Sequence, residues 1–527
     1  MSLIKRIQAR FWHWVDTREI NRLSMNPNRF TQRERVLYRV LEMVQGGLTW
    51  VTLIGCVVIS VFSPITAVLI IFVFDLYWLF KLLIFLFFMI IAWKRYRRDS
   101  KRDWSKELRE RFPEAYTNIV HVVLLPFWKE PYEVLRHTLT ALAASHYNVK
   151  RILVVLAGEQ RNEAHCVEVQ RRLSAEFQDV FYDLISTLHP LAPGELAGKA
   201  ANQTYACKIV QQRLDERGIS YTNVILSAFD SDTVVHPEYF SCLTYHYLNN
   251  PKPIQASYQP VVVYSNNVWE SSWFTRVVSN STTFWLLGEF GRNADRLISY
   301  SSHSIPFQTL VNVGFWQVDM VNDDARIFLQ AYLQYHGDYR LVPLNVPVYM
   351  DTVDAGSFWK TLKNQYLQVR RWGYGAEHVP YLLFHLWKDT SMSFAKKFKP
   401  LLLQIEGYYF WATAPIMMLV MGRLPLFVMD MRNDPSIVLQ RMPNLLEMIM
   451  QIGMLGIIVS ALMSITFIPV RPPAFSRLKY LMLFFQWLFL PISMVVFGSI
   501  PVTDAQTRLM LGKYLGFWNT EKIRKRV

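Results

Sequence analysis

The chain has 527 residues, of which 52% are hydrophobic and 15% aromatic, and its formal net charge is +15. A basic balance fits nucleic acid or an anionic membrane face; a mean hydropathy of +0.13 and long apolar blocks decide for the membrane and against nucleic acid. Cys56, Cys166, Cys207 and Cys242 are scattered without CxxC spacing, which excludes a disulfide framework or a cysteine zinc site and points to a reducing compartment for the middle of the chain.

Residues 1–45 are polar and basic, with no leading apolar stretch of the kind a cleavable signal peptide needs. Their cations, mixed with Phe11, Trp12 and Trp14, either lie along a membrane surface or form a solvated run. The block 46–93 fits two membrane helices, since a bilayer core takes about 20 helical residues. Asp75 falls where the turn between them is expected, Pro64 is expected to kink the first helix, and Lys81 is expected to snorkel to an interface. Basic residues on both flanks, through the linker 94–114, place both ends of the pair in the cytoplasm.

From 115 to 395 the composition changes. Apolar runs at 118–126, 151–157 and 223–229 read as buried strands, with helices at 132–144 and 163–176 between them. The expected fold is α/β, a mainly parallel sheet inserted between N-terminal and C-terminal transmembrane helices. Ligands of such sheets gather beyond the C-terminal strand ends, where Pro126, Gly158 and Asp230 fall. Between 396 and 505 come three apolar segments, 401–421, 445–469 and 480–501. Three spans would leave the basic tail 506–527 outside, against the charge rule. Either one segment is interfacial, or 424–446 holds another membrane element, or the rule fails here.

Four polar motifs stand out. The first strand ends in Pro126-Phe127-Trp128-Lys129-Glu130. Phe229-Asp230-Ser231-Asp232 follows another strand, and carboxylates two apart can project to one side of an extended backbone. They suit a hard divalent ion that keeps phosphates in its shell, or they simply form a strand-end turn. Asn322-Asp323-Asp324 precedes a helix and supplies either a general base or negative charge favoured at a helix start. Gln368-Val369-Arg370-Arg371-Trp372 continues a helical stretch and brings Gln368, Arg371 and Trp372 to one face. That face offers a phosphate fork and a flat plate for a sugar ring, or belongs to an exposed basic helix with a core Trp.

The order of these motifs, with Lys199 and Asn202 between them, resembles the membrane-embedded family 2 glycosyltransferases, which include cellulose, chitin and hyaluronan synthases. The resemblance covers 115–385 by motif and the flanking spans by layout. It implies a GT-A fold, a UDP-sugar donor, Mg²⁺ or Mn²⁺, inversion at the anomeric carbon, and a glycan or a lipid in the bilayer as acceptor. By position, Asp230 and Asp232 would hold nucleotide and metal, Asp324 would be the base with Asp323 beside it, and Gln368, Arg371 and Trp372 would line diphosphate and acceptor. Pro126, Glu130 and Lys199 would border the donor. The family's Asp at the end of the second strand is missing; Glu159 is its only candidate substitute. Asn322 and Asp323 stand where the family has Thr and Glu. Single transfer to a lipid is the rival enzyme reading, and a degenerate domain acting as transporter or scaffold the rival outside enzymes.

This organisation places residues 94–400 in the cytoplasm. A cysteine introduced at position 105 or 165 should resist impermeant thiol reagents in intact cells; efficient labelling from outside would reverse the topology.

Overall fold

The computed structural model describes residues 31–292, 297–433 and 437–518. The basic segment around Phe11, Trp12 and Trp14, and the tail cations Lys522, Arg524, Lys525 and Arg526, lie outside the described residues. Helix α1 (Gln32–Phe62) starts well before the apolar block, because Thr31 and Glu34 form a capping box. The break before α2 (Pro64–Asp99) falls at Ser63, not near Asp75, which is buried inside α2. Pro64 therefore starts the second helix rather than kinking the first. At the first helical position a missing N–H costs nothing, and the fixed φ suits the helix.

A short α3 (Trp104–Arg111) leads into the sheet domain. There follow β1 (Val120–Pro126), α4 (Tyr132–Ala143), β2 (Ile152–Glu159), α5 (Glu163–Phe177), β3 (Asp183–His189), α6 (Lys199–Glu216) and β4 (Val224–Ala228). Next come β5 (Val234–Val235), α7 (Tyr239–Asn249), β6 (Ala256–Tyr264), α8 (Trp273–Arg292), β7 (His303–Pro306), α9 (Phe307–Val313), α10 (Asp323–Gln334) and β8 (Arg340–Met350). Then α11 (Phe358–Gly373) and α12 (His378–Lys388) lead to α13 (Phe394–Leu419), α14 (Leu424–Met431), α15 (Ile437–Ile465) and a long final rod, α16 (Lys479–Met510).

The sheet has eight strands in the order β3-β2-β1-β4-β7-β6-β8-β5. It is mixed, where the sequence led us to expect a mainly parallel sheet. β3, β2, β1 and β4 are parallel, as are β6 and β8, but β7 runs antiparallel to both its neighbours and β5 antiparallel to β8. The three strands read from sequence all lie in the parallel half, where both faces are covered and the residues form unbroken apolar runs. β6 is equally buried, and its Pro260 sits at a register shift, where a strand tolerates a missing donor. The reversal of β7 brings its first residue, His303, level with Ala228 at the end of β4. Residues just before β7 thus join the same edge as the C-terminal ends of the parallel strands.

Four helices are long and apolar enough to cross a membrane: α1, α2, Arg441–Ile465 and Lys479–Met510. A fifth crossing results if Phe394–Leu419 and Met421–Met431, bent by 44°, count as one broken span. Lys81 does not snorkel. It turns inward to an ion pair with Glu406 of α13 and lies 4.9–5.4 Å from the ring centres of Tyr77, Trp78 and Phe410. An ammonium in a span is held at least cost by a counter-charge and π faces inside the bundle.

The sheet is fastened to α2 through α8. Thr283 of α8 donates to the Val262 carbonyl of β6 at 2.8 Å. On α8, Gly288 meets the Phe85 ring of α2 and Gly291 meets the Phe88 backbone, with no room for a Cβ at either place. Overpacking of this kind typically costs about 1–3 kcal/mol. Gly291→Ala should therefore lower the thermal midpoint in detergent by a matching amount, because the obstacle is a backbone carbonyl that cannot rotate away; an unchanged midpoint would show that α8 and α2 are not in register as described.

Candidate active site

The parallel strands deliver their polar ends to one edge. β1 ends in Pro126, and Glu130 folds back so that its Oε2 accepts from the Trp128 and Lys129 N–H groups at 2.7 and 3.0 Å. β2 ends in Glu159, which accepts from Arg161 Nε at 2.7 Å. Burial pushes the Glu159 carboxyl above its ordinary range, and Arg161 opposes the rise. Arg161 and Lys129 both lie on the Trp128 ring, at 4.4 and 4.0 Å from its centre.

β4 leads into Asp230 and Asp232. Asp230 accepts from Lys199 Nζ at 2.9 Å through Oδ1 and from Ser301 Oγ at 2.7 Å through Oδ2. Asp232 is buried, and its Oδ2 accepts from the Asp351 N–H just beyond β8 at 2.7 Å. Lys199, the first residue of α6, reaches a second carboxylate: its Nζ is also 2.9 Å from Asp324 Oδ1. Burial alone would lower the Lys199 pKa, but Asp230, Asp324 and Asp323 outweigh it and raise it. Asn202, one turn on, donates to the Ala157 carbonyl at 2.7 Å and so ties α6 to β2 rather than facing the cavity.

Asp323 and Asp324 open α10, with Asn322 as N-cap residue. The Asn322 side chain does not cap the helix; its Nδ2 donates to the Arg371 carbonyl at 3.0 Å. That bond joins the acidic motif to α11, whose unbroken helix carries Gln368, Arg371 and Trp372. Asp323 is buried, and burial first, Asp324 second, push its carboxyl above the usual carboxylate range. Gln368 accepts from Gln365 at 3.1 Å, and the Arg371 guanidinium lies 4.9 Å from the Phe517 ring. All eleven side chains singled out from sequence (Pro126, Glu130, Glu159, Lys199, Asp230, Asp232, Asp323, Asp324, Gln368, Arg371 and Trp372) line one cavity of about 2200 Å³.

The same cavity runs on between the apolar helices, past Trp78, Lys81, Glu406, Trp411 and Trp487. Sequence reading missed several of its residues. Ser301 lines it just before a strand of only four residues, too short to show a period, and His303 lies behind it at the start of that strand. His303 is buried, with Nδ1 3.0 Å from the Tyr300 carbonyl and 3.7 Å from Asp324 Oδ1. A carbonyl only accepts, so Nδ1 carries the proton. Phe517 and Trp518, the latter donating to Asn364 at 3.2 Å, close one side of the cavity from beyond the last helix.

Among the described residues no three His, Cys, Asp or Glu side chains gather to cage a metal. Asp230 and Asp232 both face the cavity, and two carboxylates suit a cation that takes its remaining ligands from phosphates and water. The residues present therefore fit a metal shared with a diphosphate.

No protein-family model and no curated protein matches the chain. Solved structures similar to it include a mannosyltransferase from Pyrobaculum calidifontis in complex with GDP-Man and Mn²⁺, at 14% identity and TM-score 0.41, over 81% of this chain and 98% of that one. TarS residues 1–349 from S. aureus match at 9% identity and TM-score 0.36, over 75% of this chain and 93% of that one. GalNAc-T7 with UDP, GalNAc and Mn²⁺ matches at 10% identity and TM-score 0.34, over 55% and 58%.

Asp232→Asn keeps an oxygen for the Asp351 N–H and should leave the fold intact while removing most turnover. EDTA should abolish turnover, and Mg²⁺ or Mn²⁺ restore it; full activity after chelation would remove the metal from the site.

Proposed function

We propose that the chain is a membrane-embedded glycosyltransferase of the family 2, GT-A type that transfers a sugar, with inversion, from a nucleoside-diphosphate donor to a glycan or lipid-linked acceptor. One observation carries this reading. Asp230, Asp232, Asp324, Arg371 and Trp372, drawn from three separate chain segments, line one cavity that continues between the apolar helices. A soluble donor can enter such a cavity from the sheet side while an acceptor reaches it from the membrane side. On the family's pattern the nucleotide is uridine, and the catalytic domain 115–395 faces the cytoplasm between the spans of 46–93 and 396–505.

Asp230 and Asp232 would hold Mg²⁺ or Mn²⁺, which when bound offsets charge on the leaving diphosphate. Arg371 adds a fixed positive charge on the same side, and the Asn322 bond to its carbonyl keeps α11 in register with α10. Trp372 offers its ring face to the acceptor sugar. Asp324 takes the proton from the acceptor hydroxyl. The hydroxyl oxygen forms the new bond to the anomeric carbon from the face opposite the nucleotide, and the old carbon–oxygen bond breaks with its electron pair leaving on the nucleoside diphosphate. Asp323 is the weaker candidate for base: burial and its neighbour favour its uncharged form, whereas Asp324 is only partly buried where it lines the cavity.

Asp324→Asn separates base from scaffold. A general base contributes about 10²- to 10⁴-fold to rate, so turnover should fall by roughly that much. An acid that only holds Lys199 would instead show its loss in Asn as a lowered thermal midpoint, with turnover per folded molecule little changed. Near-normal turnover would move the base role elsewhere.

A further inference from the structure

Lys199 is one cation serving two masters. Its Nζ lies 2.9 Å from Asp230, on the donor side, and 2.9 Å from Asp324, on the acceptor side. The side chain is 8% exposed, so solvent does little to screen either pair. Asp230 and Asp324 thus share that ammonium, and Asp323 adds to the negative field around it. Asp324 Oδ1, the oxygen held by Lys199, is also the one 3.7 Å from His303 Nδ1. The Oδ1 lone pair that points at the ammonium is withheld from a hydroxyl proton, and the contact fixes the direction in which Oδ2 faces.

A nucleoside diphosphate entering this cavity brings negative charge to the neighbourhood of Asp230 and Asp232, and charge-assisted hydrogen bonds to phosphate compete directly for the ammonium. Lys199 can answer that competition. Its charge sits on a flexible four-carbon stem with three rotatable donors, unlike the planar fork of Arg371. Resting on the reading of the cavity as a nucleotide-sugar site, we propose that Lys199 couples the two halves of the reaction: without donor it holds Asp324, and the arriving diphosphate draws the ammonium away and frees Asp324 to act as base. Lys199 is then a positioning residue for the base as well as a contact for the donor. The base is released only where there is a donor to attack, and donor binding precedes acceptor activation.

Coupling of this kind is reciprocal. If phosphate and Asp324 compete for one ammonium, removing the Asp324 charge strengthens nucleotide binding, and does so through Lys199. The test uses the full chain in nanodiscs and titrates UDP, and separately GDP, calorimetrically at fixed Mn²⁺. Asp324→Asn should bind the nucleotide about five-fold or more tightly than the unaltered protein, the low end of typical coupling. In a Lys199→Met background, where the nucleotide binds more weakly, Asp324→Asn should give no such gain. Lys199→Gln serves alongside Met in case an apolar residue between two carboxylates does not fold, and Lys199→Arg, which keeps a cation, should retain part of the gain. An unchanged affinity in Asp324→Asn overturns the coupling. So does an equal gain in the Lys199→Met or Lys199→Gln background, which would mean simple through-space repulsion. Failure of the unaltered protein to bind either nucleotide overturns the nucleotide-sugar reading itself, and the coupling with it.

Discussion

The ion contact between Lys199, Asp230 and Asp324 joins parts of the chain far apart in sequence: Lys199 starts α6, Asp230 follows β4 and Asp324 starts α10. Two carboxylates brought this close, with Asp323 beside them, would repel, and partly burying them without a cation would be costly. The ammonium makes their convergence possible. Much of the surrounding structure keeps it there. Asn202 pins α6 to the end of β2, Ser301 holds the far oxygen of Asp230, and Ser299 donates to the Asp324 carbonyl at 2.5 Å. The reversed β7 brings those serines to the edge where the parallel strands end.

The second constraint comes from the helices that are long and apolar enough to cross a membrane. The cavity passes from the strand ends to the space between apolar helices, where Lys81 and Glu406 face it among aromatic rings. Charged groups at that depth are tolerated where they are paired and meet a polar interior. Gly288 and Gly291 let α8 touch α2 closely enough to hold sheet and helices in fixed register. A cavity lined by both parts keeps its shape only if they stay in that register. Near the start of α1, Arg39 donates to the Leu509 and Met510 carbonyls at 2.9 and 2.5 Å, so the first apolar helix caps the last.

The sequence was legible where one physical signal dominated. β1, β2 and β4 are short unbroken apolar runs, and burial on both faces leaves that mark. The acidic and Gln-x-x-Arg-Trp motifs were visible because their residue types are chemically specific, and the structure brings them to one cavity. What depends on tertiary pairing was not legible. The antiparallel β7 is too short to show a period, so the mixed sheet, Ser301 and His303 stayed hidden. Lys81 was read as snorkelling because nothing local announces Glu406, 325 positions away. Asp75 was read as a turn residue when the backbone constraint of Pro64 had already fixed the break one residue earlier, at Ser63. Glu159 was weighed as a substitute for the family's second-strand Asp without its partner Arg161, whose nearness along the chain gave no sign that the two side chains pair.

The central claim is direct, inverting transfer at a base set opposite the leaving diphosphate. It is tested most directly by the anomeric configuration of the product, read by NMR on the purified chain in nanodiscs given ¹³C-labelled nucleotide sugars and membrane-extracted acceptors. The account predicts release of the nucleoside diphosphate and a product whose anomeric configuration is opposite to that of the donor. A product with the donor's own configuration would contradict it, because retention requires a nucleophile or a same-face attack that Asp324 acting as base does not provide.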